Sequence, residues 1–167
     1  MNKASIYAAY GSKEVLFQKA VERYVSGPAS FISHALQQPT AYAVITQLLQ
    51  QAAICLTDAE QPHGCLVIQG ALSCSEEAQS LQTLLSQYRL AVEQKLTARL
   101  LQAQAAGEIA ATVDVAVVAK LVMAIHQGMS VQATTGATAA QLSSMATLAA
   151  RSVAQQTGML KNSTGQS

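Results

Sequence analysis

Asn2-Lys3-Ala4-Ser5-Ile6-Tyr7-Ala8-Ala9-Tyr10-Gly11-Ser12-Lys13-Glu14-Val15-Leu16 is the stretch that decides how this chain reads. Lys3, Ser5 and Tyr7 put polar groups at the start of a short helix, and Ile6, Ala9 and Tyr10 supply its inner face. Gly11 is a natural stop, because glycine enters the left-handed conformation that closes a helix at little cost. Ser12 then has the chemistry of an N-cap, and Glu14 follows in the first turn, where the helix dipole favours an acid. Val15, Leu16, Ala20, Val21 and Tyr24 continue at helical spacings as far as Gly27-Pro28.

A polar-headed short helix, a glycine turn and a capped second helix place this stretch at the recognition helix of a helix-turn-helix and the helix that follows it. In such a motif the recognition helix enters the major groove while the helix before it braces it against the backbone. Ser12 and Lys13 suit a phosphate clamp, in which backbone N–H groups and an ammonium converge on one oxygen cluster. A solvated helix start accounts for the same two residues equally simply.

From Asn2 to Tyr24 the chain resembles the end of the DNA-binding domain of TetR/AcrR-type bacterial transcriptional regulators. The likeness is carried by Ile6-Tyr7-Ala8-Ala9-Tyr10-Gly11-Ser12-Lys13-Glu14-Val15-Leu16-Phe17. From Thr40 to Thr157 it is similar, more diffusely, to that family's ligand-binding and dimerisation domain, notably at Gly64-Cys65-Leu66-Val67 and Tyr88-Arg89. The resemblance implies an all-α, TetR-like helical bundle. It divides the chain into a remnant of the helix-turn-helix domain at 1–27, a ligand-binding and dimerisation domain at 28–158, and a disordered tail at 159–167. It further implies DNA contacts from Lys3, Ser5, Tyr7, Tyr10 and Lys13, with operator DNA and an unknown small-molecule effector as partners of a homodimeric repressor. The family's first two helices precede the matched segment, so the resemblance also implies a form truncated at the amino end, with impaired DNA binding.

Composition agrees with a single helical domain. The chain has 167 residues, enough to bury a real core. Charged residues make up 11% and aromatics 4%, where ordinary globular proteins carry roughly 25% charge. A formal net charge of +1 excludes a generally basic nucleic-acid coat, so any attraction to DNA is local. Lys3, Lys13, Lys19 and Arg23 against Glu14 and Glu22 make the amino end that locality. No secretory pattern follows Lys3, and the odd number of cysteines, Cys55, Cys65 and Cys74, suits reduced thiols in a cytoplasmic chain. Two stretches, Tyr24 to Thr57 and Leu121 to Ala150, lack Asp, Glu, Lys and Arg. Their Gln, Ser, Thr, His, Gly and Pro residues are too polar for a lipid-facing span, which argues against a membrane partner.

Helical periods continue along the chain. A short piece over 29–36 breaks at Gln38-Pro39, and Thr40 to Leu56 carries a broad stripe of Val44, Ile45, Leu48, Leu49, Ala52 and Ile54. After Pro62-His63-Gly64, Cys65 to Leu72 is apolar except for Gln69. Ser75-Glu76-Glu77 has the form of a capped start to the longest helix, whose stripe of Leu81, Leu84, Leu85, Tyr88, Val92, Leu96 and Leu100 ends at Gly107. Thr112-Val113-Asp114 starts the next helix, and Thr138 with Gln141 forms a capping box for the last. These final two helices are nearly free of charge on every side, which suits a dimer interface formed by Leu121, Ile125, Met129, Leu142, Met145 and Leu148. A pair of helices buried within one protomer is the alternative.

Catalytic motifs are missing. The chain has no Gly-x-Ser-x-Gly, His-Glu-x-x-His, Cys-x-x-Cys or phosphate-cradling glycine loop, so neither an enzyme nor a cofactor is expected. Cys55, His63, Cys65 and Cys74 have the right chemistry for zinc but match no compact spacing, and buried cysteines that act as small hydrophobes are the simpler reading. Tyr42, Gln69, Tyr88 and His126 are polar-tipped residues in apolar helices, suited to hold the polar end of a ligand or to meet water. A helical homodimeric interaction protein, without DNA or effector, is the competing functional class.

Overall fold

The computed structural model describes residues 11–72 and 79–160. Lys3, Ser5, Tyr7, Tyr10, Cys74, the expected cap at Ser75 to Glu77 and the polar tail from Lys161 lie outside the described residues, as does the side chain of Lys13. The described elements are all helical: α1 (Lys13–Ser26), a 3-10 turn (Pro28–Ser30), α2 (Phe31–Leu36), α3 (Ala41–Cys55), α4 (Leu66–Leu72), α5 (Gln79–Ala105), α6 (Val115–Thr134) and α7 (Ala139–Thr157).

Local chemistry fixes most of the boundaries. Ser12 Oγ accepts from the Val15 N–H at 3.3 Å, directly after Gly11 at φ 84°. Thr40 caps α3 through the Ala43 N–H, and the Glu108 carboxylate, from the loop after α5, accepts from the Ala41 N–H at 2.6 Å. An acid at that helix start also meets the positive end of the dipole. Asp114 Oδ1 accepts from the Ala116 and Val117 N–H groups. The expected capping box is formed: Gln141 N–H donates to Thr138 Oγ1 at 3.3 Å, and Thr138 N–H donates to Gln141 Oε1 at 2.8 Å. Gly158, at φ 75°, closes α7.

α3 lies at the centre, packed along α7 and against α2, while α5 packs on α4 and α6. Val44, Ile45, Leu48 and Leu49 of α3 are fully enclosed, together with Leu85, Leu96 and Leu100 of α5. A polar clasp joins α3 to α7. Gln50 donates to Thr147 Oγ1 at 2.7 Å and accepts from Ser143 Oγ at 2.6 Å. Lys120 and Glu93 form an ion pair at 2.7 Å between α6 and α5. α1 is part of the same core, because Val21 is fully buried and Phe17, Tyr24 and Val25 pack against it. By length and composition α6 is apolar enough to cross a membrane. Here it is a core helix, burying Val118, Val122, Met123 and Met129 against its neighbours.

Candidate functional site

Five helices and the 3-10 turn converge on a cavity of about 180 Å³. α1 brings Tyr24 and Val25, α2 brings Ile32 and Leu36, α5 brings Tyr88 and Arg89, and α6 brings Met123 and His126, with Cys65 and Ile68 beside them. The lining is mainly apolar with a few polar groups, the usual make-up of a small-molecule site. A wider cleft of about 660 Å³ lies alongside, bounded by Arg23, His63 and Gln69, and Tyr24 and Cys65 face both spaces.

His126 is the unusual group. Its side chain is 4% exposed, its Nδ1 has no hydrogen-bond partner, and the edge of Phe31 approaches with ring centroids 6.3 Å apart. Burial pushes the imidazole down to about 4, so it is neutral at pH 7. Burial first, and then the Cys65 thiol beside it, push the Tyr24 phenol upward. Burial, helped by Asp58, raises the Cys55 thiol, which keeps it protonated and poorly nucleophilic.

The entrance to α4 is held from α6. Ser130 Oγ accepts from the Cys65 N–H at 2.8 Å, and Gly64 at φ 92° presses so closely on Thr134 that a Cβ would stand 2.7 Å from its methyl group. His126, Ser130 and Thr134 therefore form one i, i+4 face of α6 turned toward α4 and the cavity.

Of the residues expected at a ligand site, Tyr88 and His126 line the cavity and Gln69 lines the adjoining cleft. The Gln69 amide nitrogen is buried and also lacks a partner. Tyr42 stands apart, in a hollow with Glu108 and Met159. Sequence reading missed Tyr24, Cys65 and Ser130, although polar residues four apart in the apolar α6 were a usable signal for Ser130. Among the described residues no three His, Cys, Asp or Glu side chains are grouped to hold a metal.

The outer face of α6 and α7 is apolar. Val117, Leu121 and Leu148 are exposed by 61, 50 and 70%, and Met145 by 37%. Ile125 is half-buried. Met129 and Leu142, expected on that outer face, are instead enclosed within the protomer. Met129 lies on α6, which packs on α5 and α3, and Leu142 lies on α7, which packs along α3, so both are turned inward and have no surface left to give a partner.

Residues 41–149 match the family described as "Tetracyclin repressor-like, C-terminal domain". The chain is 28% identical over 144 residues to the HTH-type transcriptional repressor ComR of Escherichia coli (strain K12), an alignment covering 85% of this chain and 69% of ComR. Its fold is similar to that of a cysteine-substituted form of the TetR family transcriptional regulator CifR, solved with 26-base-pair operator DNA. The two are 30% identical at a TM-score of 0.84, over 90% of this chain and 80% of CifR. A candidate TetR transcriptional regulator from Rhodococcus sp. RHA1 is 33% identical at a TM-score of 0.69, over 92% of this chain and 82% of the other. An all-α bundle with these helices, this central cavity and these relatives belongs to the TetR family of transcriptional regulators.

Proposed function

We propose that this chain acts as a homodimeric repressor whose grip on operator DNA is released by a small effector bound in the cavity between α1, α2, α4, α5 and α6. Residues 1–27 belong to the DNA-reading head and 28–158 to the effector-binding and dimerisation domain, while the tail expected at 159–167 begins later than that, because Met159 still packs against the core. Lys3, Ser5, Tyr7 and Tyr10 are assigned to the recognition helix, and Ser12 with Lys13 to a phosphate contact. CifR, with a similar fold, is a regulator seen on its operator, which supports DNA as the partner.

The observation that carries this reading is the position of Tyr24 and Val25. They sit in the closing turn of α1, the helix that leaves the DNA head, and they also form part of the cavity wall. An effector in the cavity therefore touches the element that sets the head's position. Binding preferentially to one position of α1 shifts the population away from the DNA-bound arrangement. The exposed apolar face of α6 and α7 supplies the dimer contact, which presents two heads to two half-sites.

A mobility-shift assay of this chain beside a form extended at the amino end, on the DNA flanking its own gene and at two salt concentrations, tests the reading. Sequence-specific binding that weakens with salt is expected, since phosphate contacts release counterions. A folded dimer with no DNA binding at either salt would instead favour a helical interaction protein.

A further inference from the structure

If this cavity is the effector site, as proposed above, its size and lining set the effector's chemistry. Size comes first. A dry apolar cavity of about 150 Å³ accommodates a benzene ring, so about 180 Å³ holds one ring with a small substituent, or an aliphatic molecule of equal bulk.

Polarity comes next. Aliphatic side chains and Met123 form most of the wall, and His126, part of that wall, carries a buried Nδ1 without a partner. A buried polar group without a partner is costly, and a ligand that supplies the missing hydrogen bond recovers that cost on binding. A neutral imidazole carries one N–H and one bare nitrogen. A carbonyl ligand satisfies only the N–H, whereas a hydroxyl both donates and accepts, and so satisfies whichever nitrogen faces it. Charge narrows the class again. Arg89 and Lys95 lie on the α5 side, and among the described residues no Asp or Glu lines the cavity. A cationic ligand would meet like charge with nothing to neutralise it.

The geometry points to a small, non-cationic, hydroxyl-bearing apolar molecule, of the size and type of a simple phenol or cyclic alcohol, with its hydroxyl on His126 and its ring against Ile32, Ile68, Val92 and Met123.

The probes are p-cresol, toluene as its counterpart without the hydroxyl, and 4-methylbenzaldehyde. Each is titrated into the full chain by calorimetry, with the imidazole nitrogens followed by 15N NMR. The chain has 3 histidines, so the His126 signals can be assigned by comparison with His126→Phe. p-Cresol should bind about tenfold more tightly than toluene, the worth of one recovered hydrogen bond, and should shift the His126 nitrogen resonances. In His126→Phe, with folding checked by circular dichroism, the two should bind alike. The NMR shift in the unsubstituted protein provides the test even if that variant fails to fold. Equal binding of p-cresol and toluene, an unmoved His126 signal, or tighter binding of the aldehyde would overturn the hydroxyl assignment while leaving the cavity as a ligand site. No binding by any of the three would overturn both the assignment and the reading of this cavity as the effector site.

Discussion

The backbone N–H of Cys65 donates to the hydroxyl of Ser130 at 2.8 Å, inside the protein and across 65 residues of sequence. This bond fixes the start of α4 to the C-terminal part of α6, and Cys65 is also part of the cavity wall. The shape of the cavity at that corner therefore depends on a contact between two helices that are distant in the chain.

Ser130→Ala removes the acceptor and leaves a buried N–H without a partner, a loss of about 1–3 kcal/mol. Gly64→Ala should cost a similar amount, because the added methyl would meet Thr134 and the residue is held at φ 92°. Urea unfolding followed by circular dichroism checks both. Wild-type stability in either variant would mean that the α4 entrance is not anchored in this way.

The sign of the His126 effect follows from its depressed protonation. The unfolded chain takes up a proton near the ordinary value of 6.5, whereas the buried imidazole resists protonation until about 4. Stability is therefore complete above pH 6.5 and is lost as pH falls through that window. Between pH 7 and 5 this one group should cost about 2 kcal/mol. The titratable and charged groups around it are Tyr24 from α1, Cys65, and Tyr88, Arg89 and Lys95 from α5, with no carboxylate among the described lining residues. Denaturant unfolding at the two pH values, in the wild type and in His126→Gln, isolates the effect. The variant should lose most of the difference, and parallel behaviour of the two proteins would contradict the assignment.

Thr138→Ala should weaken α7 by about 1 kcal/mol, since it removes the side-chain half of the capping box. A lowered thermal midpoint, with no change in fold by circular dichroism, is the expected result.

That cap was legible from Thr138 and Gln141 alone, as were Ser12, Asp114 and Gly158, because capping is a local contest among a few backbone groups. The stripes of α3 and α5 were legible for the same reason, apart from Ile54, which is 58% exposed: period 3.6 reports a buried face without knowledge of its partner. What periodicity does not report is which neighbour covers a face. Met129 and Leu142 share helices and apolar character with Leu121 and Leu148, yet only the packing of α6 on α5 and α3, and of α7 along α3, tells the inward pair from the outward one. The site shows the same division. Tyr88 and His126 stood out as polar residues in apolar helices, but Tyr24 read as part of a stripe and Cys65 as a small hydrophobe. Their meeting at one cavity is a product of tertiary structure, set by the Ser130 bond and the close approach at Gly64.

The outward pair provides the test of self-association. Leu148, at 70% exposed, and Leu121, at 50%, are large apolar residues on helices whose facing stretch, 121–150, contains no Asp, Glu, Lys or Arg. An exposed apolar face gains by being buried against a second copy, and charge is depleted at the core of such interfaces, which leaves Lys120 and Arg151, at the ends of this stretch, to its rim. Glutamate keeps the helix propensity of leucine but places a charge at the centre of the contact, where two-fold symmetry sets it near its own copy. Leu148→Glu and Leu121→Glu should therefore shift the protein from dimer to monomer in sedimentation velocity at micromolar concentration, while circular dichroism and the binding of p-cresol stay unchanged. If both variants sediment as dimers, the protomers pair through another face, and the exposed leucines of α6 and α7 have a different partner.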